Sequence, residues 1–301
     1  MQTRGLIVLL IAKSAADSLK SLKKEKMDEI HHKQTSLAEM TEIINHAYTI
    51  HTAVLNIPPS DLQSSKSAQE LHHVNKMSVL LGDFLLASVM RGLGEIRNTD
   101  VVELMSTAIG DYMEGRFLVH AESPMEGRMS GESPDTIPAD AVKYWEERNF
   151  LRIGSLQANS CRSVLVLGDH ADHLRDRAYE FGKNFSLAWQ AFTELQPFLK
   201  SFMGPVDPTA ETYDIMSAPI LLHMDQSGQR MKSFQIPNKE EGEPAIDYEA
   251  LHHAVSTGSG ISKTKDLIMD YSNKALDALD SFTPSESVTA LANVVYAVRE
   301  V

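Results

Sequence analysis

Cysteine is nearly absent from these 301 residues. Cys161 stands alone, which excludes an intramolecular disulfide framework, a four-cysteine zinc site and an iron–sulfur cluster held by this chain's own thiolates. Basic charge is also short, with 28 Lys and Arg against 41 Asp and Glu, and the net charge of −13 would repel a phosphate backbone; no nucleic-acid partner is expected. The early apolar run Gly5–Ala12 is far below the roughly 20 residues that span a bilayer, and no transmembrane segment is expected. Lys13, Asp17 and a Lys-rich stretch interrupt the start before any small-residue cleavage pattern, so no signal or transit peptide is visible. Either the protein is untargeted or the sequence begins after its targeting segment. What is present is a hydrophobic content of 43%, enough to fill the core of one large domain or two small ones and to exclude a disordered chain.

The apolar residues recur at helical rather than strand spacing, so the expected fold class is all-α. Leu37, Met40, Ile44, Ala47 and Ile50 or His51 share one stripe, and Ser36 with Glu39 forms a capping-box pattern at its start. Met77–Leu93 is apolar nearly all round, which places it centrally in a bundle or in an oligomer interface. Thr99–Phe117 and Ala139–Leu167 read as further helices. A stripe from Leu174 to Phe202 contains Pro197, which should kink or break it. Two helices follow, around Leu267–Leu279 and Val288–Val298, the second capped by Ser285. Pro58–His73, Ala121–Pro138 and Asp225–Asp247 read as loops, and the whole chain, 1–301, as a single bundle domain.

Several constellations have plain explanations. The pairs His31–His32, His72–His73 and His252–His253 point their rings about 100° apart on a helix and do not chelate one ion; they read as surface or loop histidines. His170 and His173 have a chelating spacing but sit in a charged stretch that reads as a solvated face. Lys20–Lys26 is neutralised by Glu25, Asp28 and Glu29 and reads as a solvated loop. Gly258-Ser259-Gly260 lacks the strand and the Gly-Lys-Ser/Thr of a phosphate loop and reads as a turn capping the next helix. The apolar surroundings of Cys161 make it a core thiol.

The segments Arg4–Lys13, Glu42–Asn56 and Asn75–Ala87, with its Gly82-Asp83-Phe84-Leu85-Leu86-Ala87 block, resemble in order those of the all-trans polyprenyl diphosphate synthases, as do Asn98–Met105 and Phe181–Asn184. The resemblance spans nearly the whole chain. It implies an isoprenoid-synthase-type helical bundle around a central cavity, in which an allylic diphosphate is extended with isopentenyl diphosphate in Mg²⁺-dependent steps. That chemistry needs acids: ionising a C–O bond to diphosphate leaves negative oxygens, and the hard Mg²⁺ ions that neutralise them need Asp or Glu anchors. The family supplies two DDxxD motifs.

Here five of the six acids are gone. The first motif's aspartate positions hold Thr52, Ala53 and Asn56, although the spacing implies that the helix itself persists. The second motif's positions hold Thr193, Glu194 and Pro197, so no metal site is expected in this chain; the loss of even one electrostatic stabiliser commonly costs roughly 10²–10³ in rate. The displaced acids Asp61 and Glu70 rebuild no metal face. No Lys or Arg occurs between His51 and Lys66 to replace the family's arginine pair. Arg4 and Arg152 are the remaining candidates for holding substrate, Arg152 standing where the family has a Lys.

A retained scaffold without its acids looks like the non-catalytic subunit of the heteromeric decaprenyl or solanesyl diphosphate synthases. The resemblance implies a heterodimer or heterotetramer with a catalytic subunit that carries both motifs and Mg²⁺, no cofactor in this chain, isoprenoid diphosphates met through the complex, a product used as the ubiquinone side chain, and the mitochondrial matrix. It also implies that the family's N-terminal helix and a presequence lie outside this chain. By the same resemblance Asp83, Phe84, Ala87, Val101 and Val102 are expected at the subunit interface. Two other readings are an autonomous terpenoid or prenyl transferase with a rebuilt metal site, and an isoprenoid-binding regulatory protein.

Overall fold

The computed structural model describes residues 3–16, 23–57, 65–122, 140–200, 213–236 and 245–300. Its elements are α1 (Arg4–Ser14), α2 (Lys24–Thr52), α3 (Lys66–Ile96), α4 (Thr99–Glu122), α5 (Ala141–Asn149), a π-helical turn (Phe150–Gly154), α6 (Ser155–Leu167), α7 (Asp172–Leu195), α8 (Ala218–Ser227), α9 (Tyr248–Thr257), α10 (Gly260–Leu279) and α11 (Glu286–Arg299). Among the described residues the all-α expectation holds apart from one antiparallel pair of two-residue strands, β1 (Gln235–Ile236) and β2 (Ala245–Ile246). The chain divides into two compact units. One comprises 1–109, 159–179 and 281–291, the other 110–158, 180–280 and 292–301.

In the first unit α2 is the central helix. Leu37, Met40, Ile44 and Ala47 are buried as the stripe predicts. Small residues let α1 and α3 approach it. A Cβ on Gly5 would meet Ala38 O at 2.8 Å, and one on Gly92 would meet Met40 Sδ at 2.6 Å. The Gly5 N–H donates to Glu42 Oε1 at 2.8 Å, and Gln34 Nε2 donates to Val164 O of α6 at 3.0 Å. Cys161 is a buried free thiol, as expected. α2 starts twelve residues before Ser36, so the capping box is no terminus. Ile30 and Gln34 carry the buried face upstream, and continued packing overrides the local signal. For the same reason Lys24–Lys26 form the first turn of a helix rather than a loop; Lys20–Leu22 lie outside the described residues.

The loop expected over Pro58–His73 ends by Ser65, whose Oγ caps α3 by accepting from Ala68 N at 3.3 Å. Glu70 is therefore helical and lies 3.9 Å from Lys66.

In the second unit Trp145 and Tyr271 pack with centroids 6.0 Å apart, and Tyr271 donates to Glu146 Oε2 at 2.9 Å. Lys183 lies 2.8 Å from the same carboxylate. Burial raises the Glu146 carboxyl, but these two donors more than offset it and hold it below the ordinary range. α7 stops at Leu195 and Pro197 sits in a 3₁₀ turn, Gln196–Leu199, the break that proline predicts. A second cluster gathers Phe198, Ile220, Met224, Leu251 and Val255. His252 stacks on Phe198 with centroids 5.6 Å apart and is buried. It is thus no surface histidine, because α9 turns that edge inward. Ser259 precedes α10 as the cap position, and Ser285 Oγ accepts from Val288 N at 3.3 Å.

Candidate functional site

The first degenerate motif falls at the end of α2, and there the helix stops. Thr52 Oγ1 donates to Thr49 O at 2.9 Å, and the Ala53 N–H closes on Thr49 O and Ile50 O at 3.2 Å each. Asn56 is exposed and lies beyond the helix in the non-helical stretch 54–57. The expectation that the helix persists through this motif is corrected. Pro58 disfavours helix at Ile57, and Asn75 of α3 captures the backbone of Leu55 from both sides. Its Nδ2 donates to Leu55 O at 2.6 Å and its Oδ1 accepts from Leu55 N at 3.1 Å. Position 56 thus shares no helical face with positions 52 and 53.

One residue earlier, His51 leans across α3. Its Nε2 lies 3.3 Å from Val79 O and 3.5 Å from Asp83 Oδ1. This contact requires glycine at position 82, where a Cβ would stand 2.1 Å from Nε2.

The second degenerate motif keeps one acid, and that acid is engaged. Glu194 Oε2 accepts from Trp145 Nε1 at 2.7 Å and from the Ala218 N–H, the first of α8, at 2.8 Å; Oε1 accepts from Gln190 Nε2 at 2.8 Å. Burial pushes its carboxyl above the ordinary range, and the three donors oppose that shift. Glu194 ties α5, α7 and α8 together and caps α8, a structural task for a carboxylate. Thr193 is exposed and bonds back to Trp189 O at 2.8 Å. Pro197 has left the α-helix, and its carbonyl lies 3.4 Å from His252 Nε2.

The two arginines that the sequence singles out face protein. Arg4 is only 7% exposed and donates from Nε to Asn45 Oδ1 at 3.0 Å. Burial lowers its guanidinium to about 10, against the opposing charge of Glu42. Arg152 sits on the π-helical turn with Nη1 3.5 Å from Asp214 Oδ2. Asp214 also receives Arg148 Nη2 at 3.0 and 3.2 Å. Burial lowers Arg152, and the neighbouring Arg148 and Arg116 lower it further while Asp214 opposes them. The sequence reading missed Arg148 and Asp214: they lie 66 positions apart, and no local spacing links them.

Among the described residues no three His, Cys, Asp or Glu side chains gather as a metal site. Thr52, Ala53, Asn56 and Glu194, whose carboxylate already accepts three hydrogen bonds, do not fit the Mg²⁺ cluster that the family's chemistry requires. His170 is buried, not on a solvated face, because it closes the corner between α6 and α7 through its N–H to Leu165 O at 3.1 Å.

The expected interface positions separate. Phe84 is 67% exposed, Val102 is 36% exposed, and Asp83 and Ala87 are also exposed. Val101 is wholly buried in its own chain and is corrected from interface to core. α3 has two apolar faces: Gly82, Val89, Leu93 and Ile96 are buried, while Met77, Leu80 and Phe84 project outward on the opposite side, with Val74 and Leu81 exposed on its flank. The central-bundle reading of this helix is thereby removed. α3 is also the one described helix long and apolar enough to cross a membrane by length and composition, and only 17% of its most apolar window is buried. The expectation of no such segment, which rested on the N-terminal run, is corrected to that extent.

A family model described as polyprenyl synthetase matches residues 2–193. The chain is 35% identical over 302 aligned positions to the mouse protein named all trans-polyprenyl-diphosphate synthase PDSS2, covering 99% of this chain and 72% of the mouse protein. It is 29% identical over 265 positions to a rice mitochondrial solanesyl-diphosphate synthase, covering 86% of this chain and 56% of that protein. Among solved structures, the apo form of an Arabidopsis medium/long-chain length prenyl pyrophosphate synthase aligns with a TM-score of 0.67 at 24% identity, covering 98% of this chain and 88% of that one.

Proposed function

The chain belongs to the polyprenyl synthetase family, and from that membership we propose that it is the non-catalytic subunit of a heteromeric all-trans polyprenyl diphosphate synthase. The observation that carries this reading is Glu194. It is the one acid left at six aspartate positions, and it accepts three hydrogen bonds that hold α5, α7 and α8 together. A partner subunit with both motifs intact supplies the Mg²⁺ and the chemistry, and this chain meets isoprenoid diphosphates only through that complex. The product is the isoprenoid side chain of ubiquinone, made in the mitochondrial matrix.

The outward apolar face of α3, with Phe84 at its centre and Val102 on α4 beside it in the interface, covers itself on the catalytic subunit. Lipid is the poorer cover, since Asp83 is exposed within that stretch and a carboxylate in hydrocarbon is costly. The chain acts as one polyprenyl-synthetase-like domain, a reading supported by the structural likeness along almost its entire length. Co-expression with a motif-bearing subunit, followed by light scattering on the purified material, tests the assignment. One hetero-oligomer is expected; two separate populations of homo-oligomers would overturn it.

A further inference from the structure

We propose that a cavity in the first unit, formed where the start of α2 meets the α3–α4 and α6–α7 corners, binds a small amphipathic anion: a phosphate monoester carrying a short apolar chain. The half-open cavity offers about 460 Å³, within the size range of ligand pockets. That is room for one short-chain molecule, not for a bilayer surface. Its floor is apolar, made by Ile30, Ile96 and Leu167, all buried. Its rim is cationic, made by Lys26, Lys33 and Arg97.

The two acids on the wall are already matched. Glu29 lies 2.7 Å from Lys33, and Asp169 lies 3.2 Å from Arg175. Burial and the neighbouring Arg175 hold His170 below the ordinary histidine range. Lys26 stands in the field of Glu29 without a close salt bridge to it, and with Arg97 it adds two cations to a wall whose acids are each held by another base, in a chain of net charge −13. An anion between them meets an attractive field.

Backbone geometry adds an independent observation. The described non-glycine residues with positive φ are Arg97 at 55° and Asp169 at 52°, and both line this cavity. Each follows a helix, a position that glycine occupies without strain. Arg97 is the more telling of the two, because a long cationic side chain does nothing for a left-handed cap. Strain kept at a cavity wall points to a side chain needed there.

Calorimetric titration of the full chain with octyl phosphate tests the site, with octanol and inorganic phosphate as comparison ligands. Saturable binding of octyl phosphate is expected, with both comparison ligands weaker by about tenfold or more. Arg97→Gly should weaken octyl phosphate by a similar factor while melting at or above the wild-type temperature, since it removes the strain together with the charge. Lys26→Gln should weaken binding in the same way without touching the backbone. Absence of saturable binding to the wild-type chain would overturn the proposal, as would equal binding by the folded Arg97→Gly chain or equal affinity for octanol.

Discussion

The imidazole of His51 rests on the backbone of Gly82, with Nε2 at the place a Cβ would need and only 2.1 Å from it. The contact fixes the end of α2 against α3 immediately before the degenerate motif, and it sets Asp83 beside the ring at 3.5 Å. Gly82→Ala must push the ring out of this seat. Overpacking of this kind costs about 1–3 kcal/mol, and the low end is expected because a ring at the helix edge can swing away. His51→Ala in the same chain should recover most of the loss. Urea unfolding of the two single variants and the double variant measures the coupling.

Glu194→Gln places an amide where three N–H groups converge. The amide oxygen can take the place of Oε2 toward Trp145 and Ala218, but the new NH₂ then faces the donating Gln190 Nε2. A loss of about 1–3 kcal/mol in unfolding free energy is expected. Turnover of the assembled complex should be retained at a temperature where the variant remains folded. A turnover collapse in folded complex would return Glu194 to a metal-binding role.

Phe84→Asp introduces a charge into the outward face of α3 and should lower recovery of the catalytic subunit in a pull-down by about tenfold or more, with the melting temperature of the isolated chain unchanged. Val101→Ala should do the reverse. It leaves association intact and destabilises the chain by roughly 1–3 kcal/mol, because Val101 is wholly buried. The pair separates interface from core on adjacent helices.

Glu146 gives the second unit an acid limit. Its folded value lies below its ordinary one of 4.5, held there by Lys183 and Tyr271 against the opposing effect of burial. A depressed carboxyl stabilises the fold above its unfolded value, and that stabilisation is lost as pH falls through the folded value. Glu146→Gln should therefore flatten the fall in stability below about pH 4.5. Denaturation midpoints of wild type and variant between pH 3 and pH 7, about four units, check the slope.

Much of the fold was legible because helical periodicity survives in long stripes: α2 up to Ala47 and α10 bury the residues that spacing assigns to their inner faces, and α7 buries Ala178, Phe181, Phe185, Ala188 and Leu195 while Leu174 and Phe192 are half-buried. Single-residue signals fared less well. Ser36 and Glu39 spell a helix start but lie inside α2, since the upstream turns find packing of their own through Ile30 and Gln34. The lost acids at positions 52, 53, 56, 193 and 197 could be read directly. The fate of Glu194 could not, because its partners Trp145, Gln190 and Ala218 lie in three different segments. The arginines teach the same lesson: Arg152 was visible as a substitution, whereas Arg148 and Asp214 become a pair only through folding.

The most direct test titrates this chain into a fixed amount of the motif-bearing subunit and follows incorporation of labelled isopentenyl diphosphate into long-chain product in the presence of Mg²⁺. The account predicts no incorporation by this chain alone and an activity that rises with added chain and saturates at a fixed ratio. Mg²⁺-dependent product from the isolated chain would contradict it.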